Sequence, residues 1–211
     1  MAYTIYLYDQ IGPAYYGLLD GKWIVDELAK AGGQDVDLRI SSTGGSVFEG
    51  QAMYSSLAQY RGNVTAHIDS IALSAASFVM LAAKHIKIAE NAMVMIHNAW
   101  GFAEGNAGDM RQTAELLDKV DAGLVAQYAA RTKQTEEQIR EWMAAETWMD
   151  AKEAVDRGFA DEIGTPLAVK ACIREGMFTK TPAALLAPSN AVAPRVQAAA
   201  IARRIAIARA T

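Results

Sequence analysis

A chain of 211 residues, 52% apolar and 21% charged, is long enough to bury a sizeable core and has the balance of an ordinary globular domain. Its net charge of −4 leaves no electrostatic footprint for nucleic acid, and its one cysteine, Cys172, excludes an internal disulfide, so a cytoplasmic setting is expected. The N-terminus lacks the basic and apolar regions of a signal peptide. The most apolar stretch, residues 71–83, is too short to span a bilayer, so no membrane association is expected.

Residues 4–8 read as a strand, followed by a helix over 17–31 with Trp23, Ile24, Leu28 and Ala31 on one side and Gly32-Gly33 as its stop. Val36, Leu38 and Ile40 alternate as a second strand, which ends in the turn Ser41-Ser42-Thr43-Gly44-Gly45-Ser46. A helix over 47–60 follows, and then a third alternating strand at Val64, Ala66 and Ile68. A second turn, residues 69–74, leads into an apolar helix over 74–83. Short strands near 86–88 and 93–96 come next. A long helix over 106–130 carries Met110, Leu117, Leu124 and Tyr128 on one stripe. Thr135 with Gln138, and Asp150 with Glu153, fit capping boxes for two further helices. The first of these buries Ile139, Trp142 and Met143, and the second stops at Gly158. Alternating strands and helices imply an α/β fold with a largely parallel sheet.

Composition changes near residue 164. From there on, seven basic residues face a single acidic one, Glu175, and four of the five prolines occur. The expected organisation is a compact domain over 1–163 and a basic, Pro- and Ala-rich extension over 164–211. That extension has a linker near 180–195 and a partly disordered or partner-dependent end.

In α/β sheets, sites gather where strand ends lead into helix N-termini. Two such junctions stand out. At Gly44-Gly45, paired glycines let backbone approach a ligand, and the next helix adds partial positive charge; a tight turn explains the same residues. The Gly-Lys-Ser/Thr ending of a phosphate-binding loop is missing there. At Ser74, the serine either caps the apolar helix or stands as a nucleophile, with the amide of Ala75 aimed at developing negative charge. Of the three histidines, His67 reads as a strand residue and His85 as solvated. His97 follows the apolar strand Met93-Val94-Met95-Ile96 and so sits at a strand's carboxyl end. Glu146, Asp150 and Asp161 are the carboxylates that could orient it. Periodicity does not choose among them, although Asp150 already reads as a cap.

Four ordered motifs resemble the proteolytic subunit of the Clp protease. They are Ile40-Ser41-Ser42-Thr43-Gly44-Gly45, Ala72-Leu73-Ser74-Ala75-Ala76, Val94-Met95-Ile96-His97-Asn98, and Ala151-Lys152-Glu153-Ala154-Val155 with Gly158-Phe159-Ala160-Asp161. The resemblance spans about residues 35–163. It implies the ClpP/crotonase spiral of ββα units with a mostly parallel sheet, and a serine endopeptidase acting on polypeptides without metal or cofactor. Ser74 would be the nucleophile, His97 its base and Glu146 the acid, a Glu where the family has Asp. Gly45 and Ala75 would form the oxyanion hole, and Gly44, Ser46 and Asn98 would flank the substrate. The family assembles as stacked homo-oligomeric rings, often heptameric.

The first strand starts at Thr4, ahead of which the family's pore-lining segment has no counterpart, so an ATPase unfoldase partner is not expected. The Glu-Thr-Trp run at 146–148 and the basic tail look like the head-maturation proteases of bacteriophages and prophages, which implies capsid or scaffold substrates and the host cytoplasm. Three alternatives remain beside this reading: a Ser-Lys peptidase using Lys84 or Lys87, a catalytically silent scaffold subunit, and a crotonase-like acyl-CoA enzyme.

Overall fold

The computed structural model describes residues 2–165, 173–174 and 176–186. Seven strands form one sheet among them, in the order β1 (Tyr3–Leu7), β2 (Val36–Ser42), β3 (Val64–Leu73), β4 (His85–Ala89) and β7 (Glu162–Gly164). Off this path, β5 (Met93–Ile96) pairs with β3, and β6 (Thr147–Met149) pairs with β5. Every pairing is parallel except β5 with β6. The expected α/β fold with a mostly parallel sheet is the one observed.

Parallel strands need crossover connections, and here helices supply them. Between β1 and β2 lies α1 (Gly21–Ala31), and between β2 and β3 lies α2 (Val47–Ala58). Asp20 caps α1 by accepting from Trp23 N, which starts that helix four residues later than periodicity suggests; a 3-10 turn at Ala14–Tyr16 precedes it. Ile24, Leu28 and Ala31 of α1 and Met53 and Leu57 of α2 pack on the sheet, where Ile5, Leu38, Ile40, Ala66 and Ile68 form the centre of the core.

The element that departs most from expectation is β3. Its C-terminal half was expected to be a turn, but Asp69–Leu73 continues the strand, buried at every position. A strand covered on both faces loses polar alternation, so its sequence does not look like a strand. β3 pairs with β4 over Thr65–Ile68 and then with β5 over Ile71–Leu73. At this change of partner its register against β2 also shifts, from Ile40↔Ile68 to Ser42↔Ala72. Asp69 sits at the bend, 1% exposed. Arg39 grips both its carboxylate oxygens at 2.8 and 2.6 Å, and Tyr8 Oη donates to it. The paired charge makes burial of this carboxylate tolerable.

The helix expected over 74–83 is shorter: α3 (Ala75–Val79), then a 3-10 turn at Met80–Ala82. The long helix is α4 (Ala107–Thr132), capped by a reciprocal Asn106–Asp109 box. Of its expected stripe, Leu124 and Tyr128 are buried, whereas Met110 is 40% exposed. The N-terminal half of α4 therefore overhangs the body instead of lining the core. In α5 (Glu136–Ala144), Thr135 caps through Gln138 N, but the Gln138 side chain turns to Glu141, so the box is one-sided. Asp150 and Glu153 do form the reciprocal box of α6 (Ala151–Asp156).

Candidate active site

The pairing of β3 with β5 decides the centre of the site. Leu73 lies opposite Met95, and the Ser74 amide extends the ladder by donating to Met95 O at 2.9 Å. The two strands therefore deliver the next residues, Ser74 and His97, to one edge. Ser74 Oγ stands 2.8 Å from His97 Nε2. Ser74 occupies the N-cap position of α3, yet its side chain makes no capping bond. The capping interpretation of this serine is therefore not realised. Its φ of 51° is a conformation that side-chain-bearing residues rarely adopt. Such a turn turns the hydroxyl away from the helix axis, at a cost of about 1–3 kcal/mol.

Neighbouring bonds hold that turn. Ser77 Oγ donates to Ser74 O at 2.6 Å and, with its proton so used, accepts from Tyr128 Oη at 2.6 Å. Burial raises the Tyr128 phenol well above its ordinary value, so it stays a donor. On the other side, Gly44 lies directly against the serine turn. A Cβ there would fall 2.3 Å from Leu73 O and 2.7 Å from Ala75 N, at a φ of 79°. Only glycine fits. Ile11 pins the same turn by donating to Gly44 O and accepting from Ser46 N. Outside the regular elements, no backbone bond among the described residues takes up the amides of Gly45 or Ala75. Gly45, Ser46, Ser74, Ala75 and His97 all border one cleft of about 700 Å³. Ser46 also caps α2 through Glu49 N. Asn98 is exposed and is not among the residues bordering that cleft.

The carboxylates divide clearly. Asp150 caps α6, and Asp161 accepts from Ile86 N and Arg131, so both are committed to structure. Glu146, at a φ of 50°, borders a second cleft together with His97. Its oxygens accept from Thr179 N at 2.8 Å, Lys180 N at 2.5 Å and Trp148 Nε1 at 3.2 Å. Burial works against its charge, but these donors outweigh burial and hold the carboxyl below its ordinary value. No hydrogen bond joins it to the imidazole among the described residues. Its charge still reaches His97. Burial, the dominant cause, keeps the imidazole below its ordinary value, and the charges of Glu146 and Asp121 offset that in part.

Three contributors were not visible in the sequence. Asp121, on α4, accepts from Ala99 N at 2.7 Å and so ties the segment after His97 to the long helix. Burial raises its carboxyl above the ordinary value. Trp148 and Phe178 meet edge to face beside the histidine. Asp121 could have been suspected only by knowing that α4 runs beside the segment after His97. Of the other candidate bases, Lys84 Nζ bonds Asn63, Lys87 Nζ pairs with Glu162, and His67 pairs with Asp37; none is brought to Ser74. His85 begins β4, where it faces Asp161 and Glu162. Among the described residues no cluster of His, Cys, Asp and Glu could hold a metal, and no helix is long and apolar enough to cross a membrane. Cys172 lies outside the described residues.

A solved structure of a point mutant of ClpP1 from Listeria monocytogenes superposes with a TM-score of 0.67 at 21% identity, over 77% of this chain and 91% of that one. At that identity the likeness shows the fold. The family model described as Clp protease matches residues 22–166, well over half of the chain, and takes in the Gly44-Gly45 turn, Ser74, His97 and Glu146. By that match the chain belongs to the Clp protease family.

Proposed function

We propose that this protein is a serine endopeptidase with Ser74 as nucleophile and His97 as general base. One observation carries the reading: a serine hydroxyl on a left-handed strand-to-helix turn, 2.8 Å from an imidazole nitrogen whose ring burial keeps neutral. Ser74 Oγ adds to the scissile carbonyl carbon as its proton passes to His97 Nε2. The Gly45 and Ala75 amides meet the negative charge on the carbonyl oxygen. Collapse breaks the C–N bond, and the proton on Nε2 leaves with the amine. Water then repeats the sequence, releasing the acyl group as an acid and restoring Ser74. Glu146 is the carboxylate that stabilises the imidazolium, once its oxygens turn to the ring. Gly44 and Ser46 shape the floor under the substrate backbone.

The substrate is polypeptide, and the working form is a homo-oligomeric ring. Exposed apolar side chains at Trp100 (63%), Phe102 (92%) and Leu116 (49%) support assembly. The Glu-Thr-Trp run and the basic tail support a place among phage head-maturation proteases, with capsid or scaffold precursors as substrates.

A fluorophosphonate probe tests the chemistry. Wild type is expected to label at Ser74, and Ser74→Ala to lose labelling and at least ~10³-fold of peptide hydrolysis. Undiminished labelling of Ser74→Ala removes this nucleophile. Co-production with a capsid precursor should give cleavage with wild type and none with Ser74→Ala; an intact precursor in both would remove the head-maturation assignment.

A further inference from the structure

The segment after the domain folds back over the candidate site. Ile173 donates its amide to Leu185 O, closing a loop that carries residues 176–184 across the end of β5. Ile173 is fully buried with Ile71, Leu73 and Met95, in a small core separate from the main one. This loop sets the Phe178 ring between two aromatic partners. His97 lies 5.6 Å from it and Trp148 5.8 Å, both edge to face. The next two amides, Thr179 N and Lys180 N, go to the two oxygens of Glu146. Lys180 Nζ adds a bond to Ala145 O, clamping the same corner.

These contacts compete with catalysis in two ways. An aromatic side chain fills the space beside the imidazole that a substrate side chain would use. The Glu146 carboxylate also spends its acceptors on the loop and on Trp148 Nε1 instead of the imidazole. Residues 179 and 180 lie in a turn, which aims two consecutive backbone amides at one carboxylate.

We propose that residues 176–181 are a built-in occupant of the candidate site, seating Phe178 between His97 and Trp148 and holding Glu146 away from the imidazole until a substrate displaces them. The proposal rests on the serine-peptidase reading. The slot that Phe178 leaves on displacement is lined by imidazole and indole edges. It therefore suits an aromatic residue of the incoming polypeptide.

Two measurements on the full chain test it. Hydrogen exchange of the 176–181 amides is read first, in Ser74→Ala, where no turnover can alter the tail. Replacing Glu146 as well (Ser74→Ala with Glu146→Ala) should speed exchange there at least tenfold. Equal exchange in the two proteins overturns the proposal. In the second arm, Phe178→Ala is compared with wild type for the rate of fluorophosphonate labelling at Ser74. A rise of threefold or more is expected, and an equal or slower rate overturns the occupant. If neither protein labels at Ser74, the peptidase reading fails, and the exchange arm alone decides whether the loop is held by Glu146.

Discussion

At Ser74, two roles that sequence could not separate are separated by one torsion. A capping serine has extended backbone and turns its hydroxyl back to the helix amides. With φ at 51°, Ser74 turns its hydroxyl to His97 instead, and the backbone of the same turn leaves the Ala75 amide at the first position of α3. Under the proposed mechanism the histidine sets the pH response. It must be neutral to accept the serine proton, and burial holds it below its ordinary value of about 6.5. Activity should therefore fall as pH drops, with the midpoint of the acid limb of kcat/KM below 6.5. Because the Glu146 charge pulls the imidazole upward, Glu146→Gln should move that limb to still lower pH. A midpoint above 6.5, or a limb that the substitution leaves in place, would contradict this electrostatic picture. Ser74 and His97 were legible as chemistry-bearing residues because each follows an apolar run. Glu146 was singled out only through motif spacing, since nothing in its neighbourhood marks a carboxylate that shares a cleft with His97.

At the scale of elements, the site depends on β3 changing partners. Its first half reads as a strand because polar and apolar residues alternate along it. Its second half is buried on both faces and reads as something else. The bend between them carries Asp69, whose charge is buried against Arg39. Arg39→Ala would leave that carboxylate without its cation and should cost about 3 kcal/mol of stability, read as a lower urea midpoint. A loss under about 1 kcal/mol would mean that the Tyr8 bond alone supports Asp69. β6 escaped detection for a different reason. Three residues are too few to show a period, and what makes Thr147–Met149 a strand is the exposed edge of β5 beside it.

For the whole molecule, the boundary near residue 164 reflects composition more than contact. Ile173 and residues 176–186 return to the domain beside His97 and Glu146, and residues 166–172, 175 and 187–211 lie outside the described residues. Phe102, in the segment before α4, and Leu116, in its N-terminal half, are exposed apolar side chains. Sedimentation velocity should show a species several times the mass of one chain, and Phe102→Asp combined with Leu116→Asp should shift it toward the monomer. A monomeric wild type at micromolar concentration would remove the assembly. By itself the sequence determined the α/β alternation, the glycine turn, and the serine and histidine at strand ends, because local periodicity and strand-end position are properties of short segments. Only the tertiary structure decided that Leu73 lies opposite Met95, that Asp121 reaches across from a distant helix, and that the tail engages Glu146. These are contacts between segments far apart in the chain, and short-range pattern carries no information about which of them meet.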